Sequence, residues 1–261
     1  MSEKDSLGDR MKQQYEDRTR YSLPRRTYTI IRLDGKAFHS FTKNFDRPYD
    51  SKIVKWMDHT ALELCKAIQG CKFAYVQSDE ISLLLTDFET PQTQSWFDSN
   101  LQKVVSISAS IATSAFNKAK MVHDFKTPPE FSLDYDMLSF ANFDSRAFTI
   151  SDPVEVANYF IWRQQDAVRN SIQMLGQSLY SHRELQEKNC DQIQEMTFQK
   201  GKNWNDVSVR NKRGGFITKV SSEPMPGVVR DAWKNIECPH FDVELLLSFY
   251  IPRMNQKDKS E

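Results

Sequence analysis

The stretch Thr27–Phe41, TYTIIRLDGKAFHSF, restricts the fold more than any other part of the chain. Residues Tyr28 to Leu33 are mostly β-branched or aromatic, the composition of a strand, and the run stops abruptly at Asp34-Gly35. An Asp-Gly pair after a strand is ordinarily a hairpin signal. A hairpin needs a second alternating strand, whereas Phe38, Phe41 and Phe45 follow here at the three- and four-residue spacing of a helix. The stretch therefore reads as strand, sharp turn and helical segment, with the Asp34 carboxylate at the carboxyl end of the strand. In open sheets with crossover helices, that end is where ligands bind.

The elements that follow set the topology. Arg47-Pro48-Tyr49 predicts a turn. Asp50 or Ser51 then caps a helix that turns Ile53, Val54, Met57, Ala61, Leu64, Cys65 and Ile68 to one face and closes at Gly70. KFAYVQ and ISLLL flank the polar break Ser78-Asp79-Glu80, which predicts a buried hairpin with acids at its tip. A second helix over 96–119 places Val104, Ile107, Ile111, Ala115 and Phe116 inward, and Pro128-Pro129 breaks the chain after it. SFANFDSRAFTI (139–150) predicts a strand anchored by Phe140, Phe143 and Phe148. The order β-α-β-β-α-β is the split βαβ, or ferredoxin-like, unit: an antiparallel sheet with two helices on one face.

With an exposed, charged helix over 1–26, this unit makes residues 1–150 the expected catalytic core. Asp152 as N-cap, Pro153 in the first helical position and Glu155 closing a capping box open a new helix that ends at Gly176, with Phe160 and Trp162 expected between it and the sheet. Shorter helices over 181–186 and 190–199, a strand-like GFITKV (215–220), a proline-rich turn and an apolar segment over 242–252 follow. Residues 151–261 thus read as an appended, mostly helical C-terminal lobe, and the fold class as α+β.

In a split βαβ unit the first strand lies beside the hairpin's leading strand or its partner, so Asp34 and Asp79 share one sheet edge. Two adjacent carboxylates repel, and a cation between them relieves the repulsion. Oxygen donors with room for water and phosphate suit Mg2+ rather than zinc, and Gly35 lets its carbonyl approach a metal closely. Four cysteines without metal-ligand spacing point to free thiols and a cytoplasmic setting. The sequence holds no apolar run of membrane-spanning length, and a charged start without a signal-peptide core. With 35 basic and 35 acidic residues, net charge gives no general attraction to nucleic acid. Any RNA contact falls to local clusters such as Arg18, Arg20, Arg25 and Arg26, or Arg210, Lys212 and Arg213.

RLDGKAFHSF (32–41), QSDEISLLL (77–85), FDSRAF (143–148), YFIWRQQDA (159–167) and FQKGKNWND with NKRGGF (198–216) together resemble the tRNA(His) guanylyltransferase family, in particular its guanylyltransferase-like, 3′–5′ RNA polymerase branch. The resemblance implies a core similar to the palm of template-directed polymerases. It implies two Mg2+ ions held by Asp34, the Gly35 carbonyl and Asp79, with Glu80 alongside as a third catalytic acid. Arg32, Ser78 and Arg47 (or Lys43) match positions that contact the nucleoside triphosphate. Arg183, Asn203, Asn205 and Arg213 match positions near the RNA 5′ end. The implied reaction is adenylylation of an RNA 5′-monophosphate by ATP, then attack by the 3′-hydroxyl of an incoming nucleotide, usually GTP. The implied substrate is tRNA or a tRNA-like RNA, and the implied assembly a homotetramer, a dimer of dimers. One departure stands out. Where eukaryotic members carry His-Ile-Asn-Asn, this chain has Val168-Arg169-Asn170-Ser171, which favours templated repair of 5′-truncated tRNA over tRNA(His) itself. A nucleotide cyclase on the same core and a catalytically silent RNA-binding protein are the alternative readings. Beside them, His39 reads as a packing or surface residue and Arg163 as an i,i+3 helix partner of Asp166.

Overall fold

The computed structural model describes residues 6–126, 139–225 and 228–254. In chain order the elements are α1 (Ser6–Met11), β1 (Tyr28–Gly35), α2 (Phe38–Phe41), α3 (Ser51–Ala67), β2 (Cys71–Gln77), β3 (Glu80–Leu85), α4 (Leu101–Lys126), β4 (Phe143–Ile150), α5 (Pro153–Gln177), α6 (His182–Leu185), α7 (Cys190–Gln199), α8 (Val209–Arg213), β5 (Gly215–Met225), β6 (Val228–Ile236) and α9 (Val243–Phe249). The strands form one antiparallel sheet in the order β4-β1-β3-β2-β5-β6. Its first four members have the split βαβ order. β1 lies beside β3, the second strand of the hairpin, with Asp34 opposite Glu80.

Strand alternation sorts the core into two layers. Ile31, Leu33, Ala74, Val76, Ile81 and Leu83 face α3 and α4, where Met57, Ala61, Leu64 and Phe116 meet them. Tyr28, Ile30, Phe73, Tyr75 and Leu84 face the other way, onto Val156, Ala157 and Phe160 of α5 and Leu246 of α9. β3, covered on both faces, is buried at every position. The sheet is therefore the middle of three layers, and not a sheet with helices on one face alone. The C-terminal half also supplies two of its strands. Sequence reading found β5 but not β6, VVRDAWKNI. β6 ends the sheet, and the charges Arg230, Asp231 and Lys234 that obscure its period are those that keep an edge strand from pairing with another chain.

Local differences have local causes. Trp96–Ser99 is a 3-10 turn in which Phe97 and Asp98 adopt left-handed backbone (φ 50° and 52°), so the long helix begins at Leu101 rather than 96 and runs on to Lys126. Ile107 is 39% exposed, not inward, and Phe140, which precedes the β4 ladder, is 57% exposed. On α5 the buried stripe is Val156, Ala157, Phe160, Arg163, Gln164 and Ala167, a three-and-four spacing that excludes Trp162, which is 51% exposed and not core. Asp152 caps α5 by accepting from the Val154 N–H, while Glu155 accepts from Asn158 instead of closing a capping box. Pro128-Pro129 lies outside the described residues. The four cysteines are free thiols, and no described helix is long and apolar enough to cross a membrane.

Asp50 settles which residue caps α3. Its carboxylate accepts from the N–H groups of Lys52 (2.7 Å), Ile53 (3.3 Å) and Asp46 (3.1 Å), tying the preceding loop to the helix. Asp50→Ala is expected to cost about 1–2 kcal/mol, read as a lowered midpoint in urea denaturation with unchanged slope.

Candidate active site

The site is built where β1 ends. Gly35 donates its N–H to the Asp79 carbonyl (3.1 Å), which fastens the tip of the β2–β3 hairpin to the end of β1. Asp34, Asp79 and Glu80 are thereby drawn to one edge of the sheet. A Cβ at Gly35 would collide with the Phe38 ring, so the packing of α2 against the end of β1 requires a glycine there. Phe38 locks α2 behind the acids through ring contacts with Phe41 (5.1 Å), Phe116 (5.5 Å) and Phe143 (5.7 Å). Two non-glycine residues next to the acids, Ala37 (φ 53°) and Ser78 (φ 47°), hold left-handed backbone. That conformation costs on the order of 1 kcal/mol for such residues and persists where the surroundings enforce it. The hairpin turn is Ser78-Asp79 alone, and Glu80 is already in the ladder, opposite both Gln77 and Asp34.

The three acids have different electrostatic settings. Glu80 is buried between two guanidinium groups. Arg32 Nη2 lies 2.6 Å from its Oε2, and Arg163 Nε lies 2.9 Å from its Oε1. Burial nevertheless raises the Glu80 pKa, with Arg163 and Arg32 opposing the rise. Asp34 shares Arg32 at 3.3 Å and keeps a third of its side chain exposed. Asp79 forms no ion pair among the described residues. Burial pushes its carboxyl up to about 6, its own backbone and Ser78 hydrogen bonds hold it down, and the Asp34 charge adds to the rise. Arg163 does pair with Asp166 (2.6 Å), as the helix spacing predicts, but its link to Glu80 comes only from the packing of α5 on the sheet.

Asp79 opens onto a cavity of about 410 Å3 between the sheet edge, α2, α3 and α5. Ser78 and Arg47 line it, as do Gln77, Tyr49, Asn170 and Arg210, none of which stands out in sequence as a site residue except Arg210 in its basic cluster. His39 is exposed, in line with a surface residue, and lines the cavity as well. A larger, open groove of about 930 Å3 along α4 and β4 has no carboxylate in its lining. Arg32 is part of the ion cluster and not of the cavity lining, and Lys43 is exposed outside it. The structure does not bring Arg183, Asn203, Asn205 or Arg213 into that lining either. Arg183 is exposed on α6. The Asn203 side chain accepts from the Asn205 N–H to cap a short turn, and the Arg213 carbonyl accepts from the Tyr75 hydroxyl at 2.7 Å. Val168, at the position where the sequence resemblance implies a histidine in eukaryotic members, packs with Tyr180, Met196 and Trp204 around Ile172 and Ile193.

A split βαβ sheet with acids at the end of its first strand and at its hairpin tip, beside a nucleotide-sized cavity, is a palm-like nucleotidyltransferase core. Residues 8–151 match the family model described as Thg1, tRNAHis guanylyltransferase. The chain belongs to this family and is a nucleotidyltransferase. The structure is similar to a bacterial tRNA(His) guanylyltransferase (Thg1)-like protein in complex with ATP, at 40% identity over 90% of this chain and 94% of that one, with a TM-score of 0.77. The same identity and coverage, with a TM-score of 0.74, hold for such a protein in complex with GTP. The Schizosaccharomyces pombe tRNA(His) guanylyltransferase is 33% identical over 56% of this chain and 51% of its own length.

Proposed function

We propose that the protein adds nucleotides, GTP favoured, to the 5′ end of tRNA or a tRNA-like RNA in the 3′–5′ direction. The carrying observation is Asp79: a desolvated carboxyl with no cationic partner among the described residues, facing Asp34 and lining the cavity with Ser78 and Arg47. The cavity volume suits one nucleotide, and the ATP and GTP complexes of the bacterial relatives support a nucleoside triphosphate as its occupant.

The donor set fits Mg2+. A buried acid beside a second acid, with no cation paired to it among the described residues, is stabilised by a divalent cation, and carboxylate and carbonyl oxygens are its preferred donors. Asp34, Asp79 and the Gly35 carbonyl would hold it, as two ions on this reading, with Glu80 alongside. Bound there, Mg2+ lowers the pKa of an attacking hydroxyl and neutralises a leaving pyrophosphate. Arg32 holds Asp34 in place through their ion pair, and the Arg32–Glu80–Arg163 cluster fixes β1 against β3 and α5. Arg47, exposed at the rim, supplies a cation for the triphosphate, with Lys43 available outside the lining and Ser78 as a hydroxyl donor. On a 5′-monophosphate end, a phosphate oxygen attacks the α-phosphorus of ATP and releases pyrophosphate. The 3′-hydroxyl of GTP then attacks the activated 5′ phosphorus and releases AMP.

The apolar setting of Val168 removes a histidine's proton transfer from that position and supports repair of 5′-truncated tRNA over tRNA(His) guanylylation. Arg183 is the exposed candidate for contact with the RNA end. The family resemblance carries a homotetramer, which light scattering would test.

The test is incubation with 5′-truncated tRNAs bearing a monophosphate or a triphosphate, with labelled GTP, with and without ATP. Label is expected at the RNA 5′ end, with Mg2+ required throughout and ATP required on the monophosphate. Absence of incorporation on every RNA, or cyclic nucleotide formed from GTP alone, would overturn the reading.

A further inference from the structure

The cavity is lined by a second guanidinium besides that of Arg47. Arg210 lines it from α8, and Asp58 of α3 holds the side chain in a fixed direction. Arg210 donates from Nε to both carboxylate oxygens of Asp58, at 3.0 Å and 3.2 Å, and from Nη2 to Oδ1 at 2.6 Å. The Asn235 amide of β6 donates to Asp58 Oδ2 at 2.8 Å, so three elements fix the pair. Gly215 makes room for it: a Cβ there would come within 2.7 Å of Arg210 Nε and 2.9 Å of Asp58 Oδ1. A bidentate pair occupies one edge of the guanidinium fork and leaves the rest free to donate. Nη1 has no partner among the described residues and is not a buried atom.

Sheet order places this cation. β5 begins where β2 ends, with Gly215 opposite Val76, and the Arg210 guanidinium packs on Gly215. In the order β1-β3-β2-β5, Arg210 therefore flanks the hairpin tip on the side opposite Asp34. Its neighbours in sequence are placed differently. Lys212 donates to the Asn205 carbonyl at 2.7 Å and lies over the Trp204 ring, and neither it nor Arg213 lines the cavity. Arg47 is exposed at the rim, whereas the Arg210 side chain is only 22% exposed. A guanidinium already oriented by a carboxylate binds a second anion without first being ordered, and phosphate oxygens match its remaining N–H groups. A cavity the size of one nucleotide admits a triphosphate, while the body of an RNA stays outside it. We propose that Arg210, positioned by Asp58, donates to phosphate oxygens of the bound nucleoside triphosphate from the side of the hairpin opposite Asp34. This rests on the reading of the cavity as a nucleoside triphosphate site. It makes Arg210 a substrate-binding residue and Asp58 its positioning residue.

The experiment measures equilibrium binding of GTP, tripolyphosphate and guanosine to the full chain and to Arg210→Gln, at fixed Mg2+ and ionic strength. Truncated tRNA with a 5′-phosphate or a 5′-hydroxyl is measured alongside. Arg210→Gln is expected to weaken GTP and tripolyphosphate by a similar factor, roughly tenfold to a hundredfold, and to leave guanosine unchanged. A variant with a lowered thermal midpoint and unaltered affinity for GTP would show that the Asp58 pair only ties α8 to α3, and the proposal falls. It also falls if guanosine is weakened as much as GTP, or if the only loss is the preference for 5′-phosphorylated over 5′-hydroxyl RNA. Should Arg210→Gln fail to fold because Asp58 is left unpaired, the double variant Asp58→Asn, Arg210→Gln removes that carboxylate and takes its place. Failure of wild-type protein to bind GTP at all would overturn the reading of the cavity itself, a result separate from these.

Discussion

Asp79→Asn is expected to lower nucleotide addition by roughly a thousandfold or more while making the folded protein more stable near neutral pH. The two effects have one origin. Burial raises the Asp79 carboxyl from its ordinary 3.8 to about 6, so the native state holds the proton more tightly than the unfolded chain does. The stability linked to that proton is complete below the ordinary value and is lost as pH rises through about 6. At neutral pH the ionised, desolvated carboxylate therefore costs on the order of 2 kcal/mol, after allowance for its partial exposure. Asparagine has no proton to lose and keeps the stability at all pH values. Urea denaturation in the presence of a chelator should show the two proteins converging in acid and the variant ahead at neutral pH. Added Mg2+ should raise the wild-type protein alone, because only its carboxylate pair gains from a cation. Identical pH profiles, or a less stable variant at neutral pH, would refute this account. Asp34→Ala should also abolish addition, but with a smaller stability effect, because Asp34 is already offset by Arg32 and a third of its side chain is exposed.

That an acid would stand at the end of β1 is legible from residues 28–45 alone, because the change from period two to helical spacing falls at Asp34-Gly35. That a second acid would join it follows from the order of elements, since a split βαβ unit brings the hairpin beside the first strand. What local pattern does not carry is which side chains close the site from far along the chain. Arg163 has a ready local explanation in Asp166, three residues away, and nothing near it in sequence points to Glu80. Gln77 looks like an ordinary strand end until its place at the cavity is known. β6 escapes notice because an edge strand carries charges where a central strand carries valine and isoleucine. Trp162 misleads for the opposite reason: a large aromatic residue suggests core, but the buried stripe of α5 passes it by.

The same long-range packing sets the second large effect. Arg163→Met is expected to destabilise the protein by about 3 kcal/mol, lowering the thermal midpoint by roughly 6–12 °C. Arg163 and Glu80 are both almost wholly buried, with side-chain exposures of 5% and 8%. Removing one member of such a pair leaves the other as an uncompensated buried charge, which is worse than removing both. Arg32, 2.6 Å from the other Glu80 oxygen, keeps the loss toward the low end of the usual range. Burial already raises the Glu80 pKa and Arg163 is its strongest opponent, so the variant should raise it further. The destabilisation should accordingly be larger at neutral pH than in acid, where Glu80 takes up a proton and no longer needs the guanidinium. Glu80→Gln in the Arg163→Met background should recover part of the lost stability, and a double-mutant cycle should show clear coupling between the two positions. Purely additive losses with no pH dependence would mean that Arg163 acts by filling space on α5, and that the cluster behind Asp34 is held by Arg32 alone.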